Sequence, residues 1–256
     1  MAGELFDFEG PQGYQLAGRL ERPDDALRGW AVFAHCFTCG KDSLAATRIT
    51  RALAAAGIGV LRFDFAGLGA SGGSFADSFA ADVADLVAAG QAMQAAGRPP
   101  TLLVGHSLGG AAVLKAAGAM PDVRAVATIG APFDVAHVLH QFAPASLQAI
   151  ADDGQAEVLL AGRPFVVRQS FVQDLGRHDA ARYIGTLKRP LLVMHSPRDG
   201  TVDIANAAQV FGAAKHPKSF ISLDDADHLL TRRADADYAA AMIAAWAARY
   251  LPTGTA

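Results

Sequence analysis

A serine with glycines two residues before it and two residues after it is the residue in this chain best placed for chemistry. Ser107 lies in the run 105–109, Gly-His-Ser-Leu-Gly, between an apolar stretch at 101–104 and an alanine-rich helical pattern. A turn this sharp between a strand and a helix leaves no room for a side chain at either glycine, and it exposes the serine hydroxyl. It also directs the Leu108 N–H toward the place where an oxyanion would form. The alternative is a glycine-rich turn in which the serine has no catalytic role. The predicted strand before the turn and the predicted helix after it favour a nucleophilic serine.

A nucleophilic serine needs two partners from elsewhere in the chain. Its hydroxyl requires a histidine as base, and the histidine requires a carboxylate on its other ring nitrogen. After a turn of this type the acid and then the histidine follow the serine in sequence. Asp199 follows the apolar pattern 191–194, and His228 follows the pattern 220–223. Because the carboxyl ends of parallel strands lie along one edge of a sheet, we expect Ser107, Asp199 and His228 to meet.

Other carboxylates compete with Asp199 for the role of acid. Asp203 is its nearest rival, and Asp134, at the end of the preceding predicted strand, is the second. The three aspartates of the segment 224–227 lie too near His228 in sequence to reach its far ring nitrogen easily.

Other histidines compete with His228. His106 lies inside the serine turn, and we interpret it as a packing residue directed away from Ser107. His195 precedes Asp199 too closely to be oriented by it. His35 lies at the end of a predicted strand but before the serine, a position that suits a loop around an oxyanion better than a general base.

Attack on a carbonyl creates an oxyanion that needs two preorganised N–H donors. The backbone N–H of Leu108 is one. The loop after the predicted strand 30–34 is expected to supply the other, and we assign it to the backbone of Phe37. Both donors are main-chain groups, so a substitution of Phe37 tests packing more than hydrogen bonding.

The same loop carries Cys36 and Cys39 in a C-x-x-C pattern. A metal site would need further cysteines, and the chain has only these two. A thioredoxin-like redox pair would need the motif at a helix start in a different fold. We interpret the two cysteines as small residues that pack the loop, with a redox-sensitive thiol pair as the alternative.

Strand and helix patterns alternate along most of the chain. The N-terminal residues 4–22 predict two strands in a hairpin, and six further strands alternate with amphipathic or alanine-rich helices. This alternation predicts an α/β fold with a mostly parallel sheet of eight strands flanked by helices. Only the segment at about 134–186 interrupts it. We therefore expect residues 1–256 to form a single domain with a small lid insertion over the carboxyl edge of the sheet.

Composition excludes several classes of function. The chain of 256 residues is 52% hydrophobic and 18% charged, with a net charge of −3. Nothing resembles a nucleic-acid-binding face or a polybasic membrane patch, and no apolar run approaches the roughly 18 residues that span a bilayer. The first residues lack the features of a secretory signal, and two cysteines suit a reducing interior, so we expect a cytoplasmic protein.

The glycine-rich loop at 67–72 differs from a dinucleotide fingerprint. Its helix begins late, and no acidic residue ends the following strand where a ribose would be held. We interpret the loop as a tight turn beside the active site. The sequence thus predicts no cofactor and no metal.

Four segments together resemble the α/β-hydrolase superfamily. They are Gly105–Gly110, the His-Cys-Phe-Thr-Cys run at 35–39, Phe63–Gly69 and Asp225–Leu230. More narrowly, they are similar to the hydrolase half of proteins in which an α/β-hydrolase is fused to an OsmC-like domain. The resemblance implies a cofactor-free serine hydrolase that uses Ser107, Asp199 and His228 on carboxylic esters. The sequence to Ala256 contains no OsmC-like segment, so thiol-peroxidase activity is not expected.

The leading hypothesis is therefore a serine esterase of the carboxylesterase type, acting on small-to-medium carboxylic esters through an acyl-enzyme on Ser107. Acyl transfer to an acceptor other than water stays open, as does a redox-responsive protein that uses Cys36 and Cys39. An idle binding module on the same scaffold is a third alternative; the complete order of serine, acid and histidine argues against it. Apolar residues of the lid are expected to shape the pocket: Phe133, Val138, Leu139, Phe142, Phe165 and Phe171. The partner is a small-molecule ester, with oligomeric state left open.

Overall fold

The strands of the sheet come from the continuous apolar runs of the sequence. In the computed structural model, which describes residues 3–252, the strands are Glu4–Leu5 (β1), Phe8–Glu9 (β2), Gln15–Leu16 (β3), Gly18–Glu21 (β4), Gly29–Ala34 (β5), Ile58–Phe63 (β6), Pro100–His106 (β7), Ala125–Ile129 (β8), Gln155–Leu160 (β9), Arg163–Arg168 (β10), Leu191–His195 (β11) and Lys218–Ser222 (β12). Every residue of β6, β7, β8 and β11 is buried, as expected for strands covered on both faces.

The helices follow the periodic and alanine-rich stretches between those strands. They are Leu44–Ala55 (α1), Phe79–Ala95 (α2), Leu108–Ala116 (α3), Pro144–Asp153 (α4), Gln169–Leu175 (α5), Ala180–Gly185 (α6), Ala205–Ala213 (α7) and Arg233–Ala247 (α8), with 3₁₀ segments at Ala117–Ala119 and Val135–Gln141. In α1 the apolar positions Ile49 and Leu53 lie four residues apart on the buried face. Gly57 follows the helix with a φ of 87° that favours glycine.

Eight strands form one sheet in the order β1-β4-β6-β5-β7-β8-β11-β12. Strand β4 pairs antiparallel with both β1 and β6. In the rest of this sheet, all neighbouring strands pair parallel: β6 with β5, β5 with β7, β7 with β8, β8 with β11 and β11 with β12. The predicted mostly parallel sheet of eight strands is therefore confirmed. Strand β7 lies between β5 and β8 near the middle, so the turn that follows it opens at the centre of the carboxyl edge.

Two apolar clusters cover the two faces of the sheet. One joins α1 and α8 to the sheet through residues such as Leu53 and Ile243. The other joins α2, α3 and the segment 135–185 to the opposite face, through residues such as Leu86 and Val113. Helices on both faces explain why the central parallel strands β5, β7 and β8 are mostly apolar and buried.

The N-terminal hairpin is built differently from the prediction. Strands β2 and β3 form a separate short pair, and β1 joins β4 at the edge of the main sheet. The side chain of Asp7 accepts a hydrogen bond from the Gly18 N–H at 3.0 Å, while the Phe6 N–H donates to the Gly18 carbonyl oxygen. These bonds break the continuous ladder that alternation alone predicts.

The segment between β8 and β11, predicted only as an insertion, contains the 3₁₀ segment, helix α4, the β9–β10 hairpin and helices α5 and α6. Helix α4 has a proline at its start, and Gly154 ends it with a φ of 77°. A proline in the first turn and a glycine just past the last turn are ordinary helix signals. In the β9–β10 hairpin the turn residues Ala161 and Gly162 both have positive φ, as a two-residue turn requires. The Arg163 guanidinium donates to the Thr38 carbonyl oxygen, which ties this hairpin to the loop after β5.

Candidate active site

The turn after β7 holds Ser107 in a strained backbone conformation, with φ 56° and ψ −125°. This lies outside the regions that residues with a side chain ordinarily occupy. A Cβ added at Gly105 would lie 2.3 Å from the Gly109 carbonyl oxygen, and one added at Gly109 would lie 2.4 Å from the Ala34 carbonyl oxygen. The prediction that both flanking positions exclude side chains is confirmed.

The structure brings together the three side chains that the sequence analysis selected. His228 Nε2 lies 3.0 Å from Ser107 Oγ, and His228 Nδ1 lies 2.7 Å from Asp199 Oδ2. The side chains of His228 and Asp199 are only 7% and 3% exposed. Because Asp199 accepts from Nδ1–H, the hydrogen-bond network assigns the lone pair of the ring to Nε2, which faces the serine.

The Asp199 carboxylate is held by more than the histidine. Its Oδ1 accepts from the N–H groups of Thr201 and Val202, each at 2.9 Å. Burial by itself would raise the pKa of Asp199, but the hydrogen bonds from His228 and these two amides outweigh it. The pKa is lowered below its usual value. The Asp199 carboxyl group is therefore ionised in the folded protein at neutral pH.

The rival acids have other partners. Asp203 Oδ1 accepts from the Ala205 N–H at 2.7 Å at the start of α7, and Asp134 Oδ1 accepts from the Ala136 N–H at 2.9 Å. In the segment 224–227, Asp225 pairs with Arg232 and Asp227 accepts from the Leu229 N–H. None of these hydrogen bonds leads to His228.

His106 forms a hydrogen bond to the loop that carries His228, a role that the sequence did not predict. Its Nε2 lies 2.7 Å from the His228 carbonyl oxygen, and the two rings are 5.1 Å apart. Burial, with a smaller contribution from His228, lowers the pKa of His106 to about 4, so the ring is neutral at pH 7. Neutral His106 then donates Nε2–H to that carbonyl and anchors the loop that carries His228. The contact joins residues 122 apart in sequence, and no local pattern signals it.

The buried ring of His195 lies next to the Asp199 carboxylate. Its Nε2 is 2.8 Å from the Val202 carbonyl oxygen, the better acceptor, and 3.5 Å from Asp199 Oδ2. Its Nδ1 is buried and has no hydrogen-bond partner within residues 3–252. His195 thus supports the turn around Asp199 without bonding well to its carboxylate.

The amides of the two predicted oxyanion donors, Phe37 and Leu108, make no hydrogen bond within the described residues. The Phe37 ring stacks on Phe171 with centroids 5.4 Å apart and planes 6° apart. Lys41 in the same loop donates its backbone N–H and its ammonium group to Asp64, at 2.6 and 2.7 Å. These contacts hold the loop before any substrate binds.

His35 links this loop to the next one. Its Nδ1 lies 2.8 Å from the Cys36 carbonyl oxygen, and its Nε2 accepts weakly from the Phe65 N–H at 3.4 Å. Burial lowers the pKa of His35, so the ring is neutral and carries its proton on Nδ1. The expected role of His35 in the oxyanion loop is consistent with these contacts.

Cys36 and Cys39 are joined by a disulfide, with their Cα atoms 5.2 Å apart. The packing interpretation did not include this bond. The Cys39 N–H also donates to the Cys36 carbonyl oxygen at 3.1 Å, so a tight turn and a covalent bond close the same ring. Phe37 lies inside this ring, which makes the cysteine pair a direct restraint on a predicted oxyanion donor.

The glycine-rich loop packs closely around the carboxylate of Asp64. A Cβ at Gly69 would lie 2.1 Å from Asp64 Oδ2, and a Cβ at Gly67 would lie 2.0 Å from the Phe75 amide nitrogen. Within residues 3–252 no group of three or more His, Cys, Asp or Glu side chains is arranged to hold a metal ion. No helix in the same range is long and apolar enough to cross a membrane.

A sharp serine turn after a central parallel strand, with histidine and aspartate at the ends of two later strands, defines an α/β hydrolase. Residues 28–157 match the family model described as Hydrolase_4, Serine aminopeptidase, S33, and the chain belongs to this family. The resemblance to the α/β-hydrolase superfamily is thereby confirmed. No curated protein matches the chain.

Several solved structures share the fold. The esterase domain of a Rhodothermus marinus protein is 49% identical, with a TM-score of 0.80 over 98% of this chain and 99% of that one. Est1E from Butyrivibrio proteoclasticus, solved with ferulic acid bound, is 16% identical, with a TM-score of 0.82 over 96% of this chain and 98% of that one. Mouse alpha/beta hydrolase domain-containing protein 10 is 21% identical, with a TM-score of 0.76 over 96% and 99%. The protein is a hydrolase with esterases among its structural relatives.

Proposed function

We propose that the protein is a serine esterase of the carboxylesterase type that cleaves small-to-medium carboxylic esters. The observation that carries the proposal is the continuous hydrogen-bonded path from Ser107 Oγ through His228 to Asp199, with steps of 3.0 and 2.7 Å. The 49% identical esterase domain from Rhodothermus marinus supports the choice of esters over other acyl compounds.

In the proposed mechanism, His228 Nε2 takes the proton of Ser107 as Oγ attacks the ester carbonyl carbon. The carbonyl oxygen becomes an oxyanion and accepts from the N–H groups of Phe37 and Leu108. The protonated histidine then donates its proton to the leaving alcohol, and an acyl-enzyme remains on Ser107. Water attacks the acyl-enzyme with His228 again as base, and release of the acid restores the serine. Throughout, the Asp199 carboxylate holds Nδ1–H and stabilises the imidazolium.

We also propose that residues 1–256 form one domain in which the segment 134–186 acts as a lid. Three of the phenylalanines that the sequence predicts in the lid contact Phe37 or its neighbour Phe75. Phe142 and Phe171 contact Phe37 with ring centroids 6.3 and 5.4 Å apart, and Phe165 contacts Phe75 at 4.2 Å. Their position supports a lid that forms an apolar wall of the substrate site.

Steady-state hydrolysis of short-chain aryl esters tests the esterase proposal. Ser107→Ala is expected to remove activity, and Asp199→Asn is expected to lower kcat by about 10⁴-fold because the amide favours the wrong histidine tautomer. Asp203→Asn is the matched control: it changes an acid four residues away that caps α7 instead of bonding to His228, and it should leave kcat unchanged. Equal rates for the native protein and Ser107→Ala would refute the proposal.

A further inference from the structure

A cavity lies next to the catalytic residues, on the face of the sheet that α1 and α8 cover. Its volume is about 160 Å³, and it opens to solvent. A cavity of about 150 Å³ is large enough for a benzene ring. None of the predicted catalytic residues or oxyanion donors lines it. The cavity is therefore a site separate from the catalytic centre.

The residues that line the cavity are nonetheless close neighbours of the catalytic groups in the chain. His106 directly precedes the nucleophilic serine, and Leu229 directly follows the catalytic histidine. Cys39 belongs to the disulfide-closed loop that carries one predicted oxyanion donor. A molecule in this cavity would contact the three segments from which the catalytic centre is built.

Most of the cavity wall is apolar. Leu44, Ala45, Leu229 and the disulfide-bonded Cys39 contribute to it. Leu44 and Leu229 are 58% and 49% exposed, so the protein itself leaves these large apolar side chains uncovered. Water in a cavity needs two to four polar partners, and a mainly apolar wall therefore favours an organic molecule.

One polar group in the wall lacks a partner. His106 is only 3% exposed, and its Nε2–H donates to the His228 carbonyl oxygen. The lone pair of the neutral ring is then on Nδ1, which accepts no hydrogen bond from any group within residues 3–252. Unlike the Nδ1 of His195, it is not sealed inside the protein. The cavity that His106 lines is the space from which a donor reaches this nitrogen.

The start of α1 brings hydrogen-bond donors to the same cavity. The N–H groups of Leu44 and Ala45 donate to no acceptor in the part of the chain that the structure describes, and the Ser43 side chain does not cap the helix. The first turn also contains no acidic side chain. The free amides of a first helical turn ordinarily find an acceptor outside the helix. The polar part of a fitting molecule must therefore both donate and accept, and a hydroxyl group does both.

We propose that this cavity binds a small, mainly apolar molecule with one hydroxyl group, an alcohol or a phenol of about the size of phenol itself. Its hydroxyl donates to Nδ1 of His106 and accepts from the start of α1, while its carbon atoms contact Leu44 and Leu229. A carboxylate fits poorly because it has no proton to donate to Nδ1. A hydrocarbon leaves both the nitrogen and the amides unpaired. The inference does not depend on the proposed esterase function.

An NMR titration of the native protein with phenol and with toluene tests the site without measuring turnover. The two probes have nearly the same shape, but burial of a hydroxyl group without a partner is unfavourable, so a purely apolar cavity would bind toluene more tightly. We expect phenol to bind more tightly than toluene by about twofold to tenfold, the usual contribution of one hydrogen bond. His106→Leu removes the acceptor and should reverse this preference.

Two substitutions on α1 assign the binding to this cavity. Ala45→Leu enlarges a side chain in the wall and should weaken the binding of both probes by about tenfold or more, because the space is then occupied. Ala55→Leu is the matched control, since it makes the same change at an exposed position of α1 outside the cavity, and both affinities should stay as in the native protein.

Three results would overturn the inference. They are tighter binding of toluene than of phenol by the native protein, no binding of either probe at millimolar concentration, and phenol binding that Ala45→Leu leaves unchanged. Circular dichroism identifies a variant that does not fold. In that case Leu229→Trp, at a half-exposed position of the same wall, replaces Ala45→Leu and should weaken phenol binding in the same way.

Discussion

Replacing His106 by glutamine is expected to flatten the dependence of stability on pH between about 4 and 6.5. Burial lowers the pKa of His106 from 6.5 to about 4 in the folded protein. As the pH falls through 6.5, the unfolded chain therefore binds a proton that the folded chain rejects, and the free energy of unfolding decreases. The contribution of neutral His106 is complete above pH 6.5 and is lost progressively toward pH 4. Glutamine does not titrate, and its amide can still donate to the His228 carbonyl oxygen.

The size of the effect follows from the shift in pKa. One pH unit corresponds to about 1.4 kcal/mol for one proton, so the window of about 2.5 units corresponds to about 3 kcal/mol. His106 is only 3% exposed, so solvent screening takes little from this figure. His35, whose pKa is also lowered by burial, contributes a similar slope to both proteins and cancels in the comparison.

Urea unfolding at several pH values between 4 and 7.5 measures this difference. His140→Gln is the matched control, because His140 is an exposed histidine whose removal should leave the slope as in the native protein. The difference in free energy of unfolding between the native protein and His106→Gln should shift by most of the expected 3 kcal/mol across the range, about 2 kcal/mol or more. Curves that stay parallel from pH 4 to 7.5 would refute the argument that burial keeps His106 neutral.

Two further predictions concern the loops that form the site. Gly109→Ala should destabilise the protein by about 3 kcal/mol or more, since its Cβ would lie 2.4 Å from two backbone oxygens. The control Gly118→Ala, whose Cβ would have nothing within 4 Å, should change stability by less than about 1 kcal/mol. Equal melting temperatures of the two variants would contradict this. Reduction of the Cys36–Cys39 disulfide by a dithiol should lower kcat by at least about twofold, because Phe37 is released from its closed ring. The decrease should stay below about 10²-fold, which is the cost of losing a whole oxyanion donor. The Cys36→Ser, Cys39→Ser double variant should show the lower rate with and without the dithiol, and a rate in the native protein that the dithiol leaves unchanged would count against a restraining role.

The serine turn and the two strand ends were predictable because each depends on a few consecutive residues. A serine between glycines at fixed spacing can take the strained turn, and an apolar run followed by a polar residue places Asp199 or His228 at the edge of a parallel sheet. The order of the elements then brings the three side chains together. The same local logic failed where a distant group intervened, as when the Asp7 side chain took the Gly18 N–H and split the N-terminal hairpin.

The amino-acid sequence by itself thus determined the α/β class, the parallel sheet and the choice of Ser107, Asp199 and His228. The tertiary structure alone decided that His106 anchors the His228 loop and that the bond between Cys36 and Cys39 encloses Phe37. The first set depends on backbone geometry over short spans, which periodicity and glycine spacing express directly. The second set depends on contacts between separate elements and on burial, and both exist only after the chain has packed.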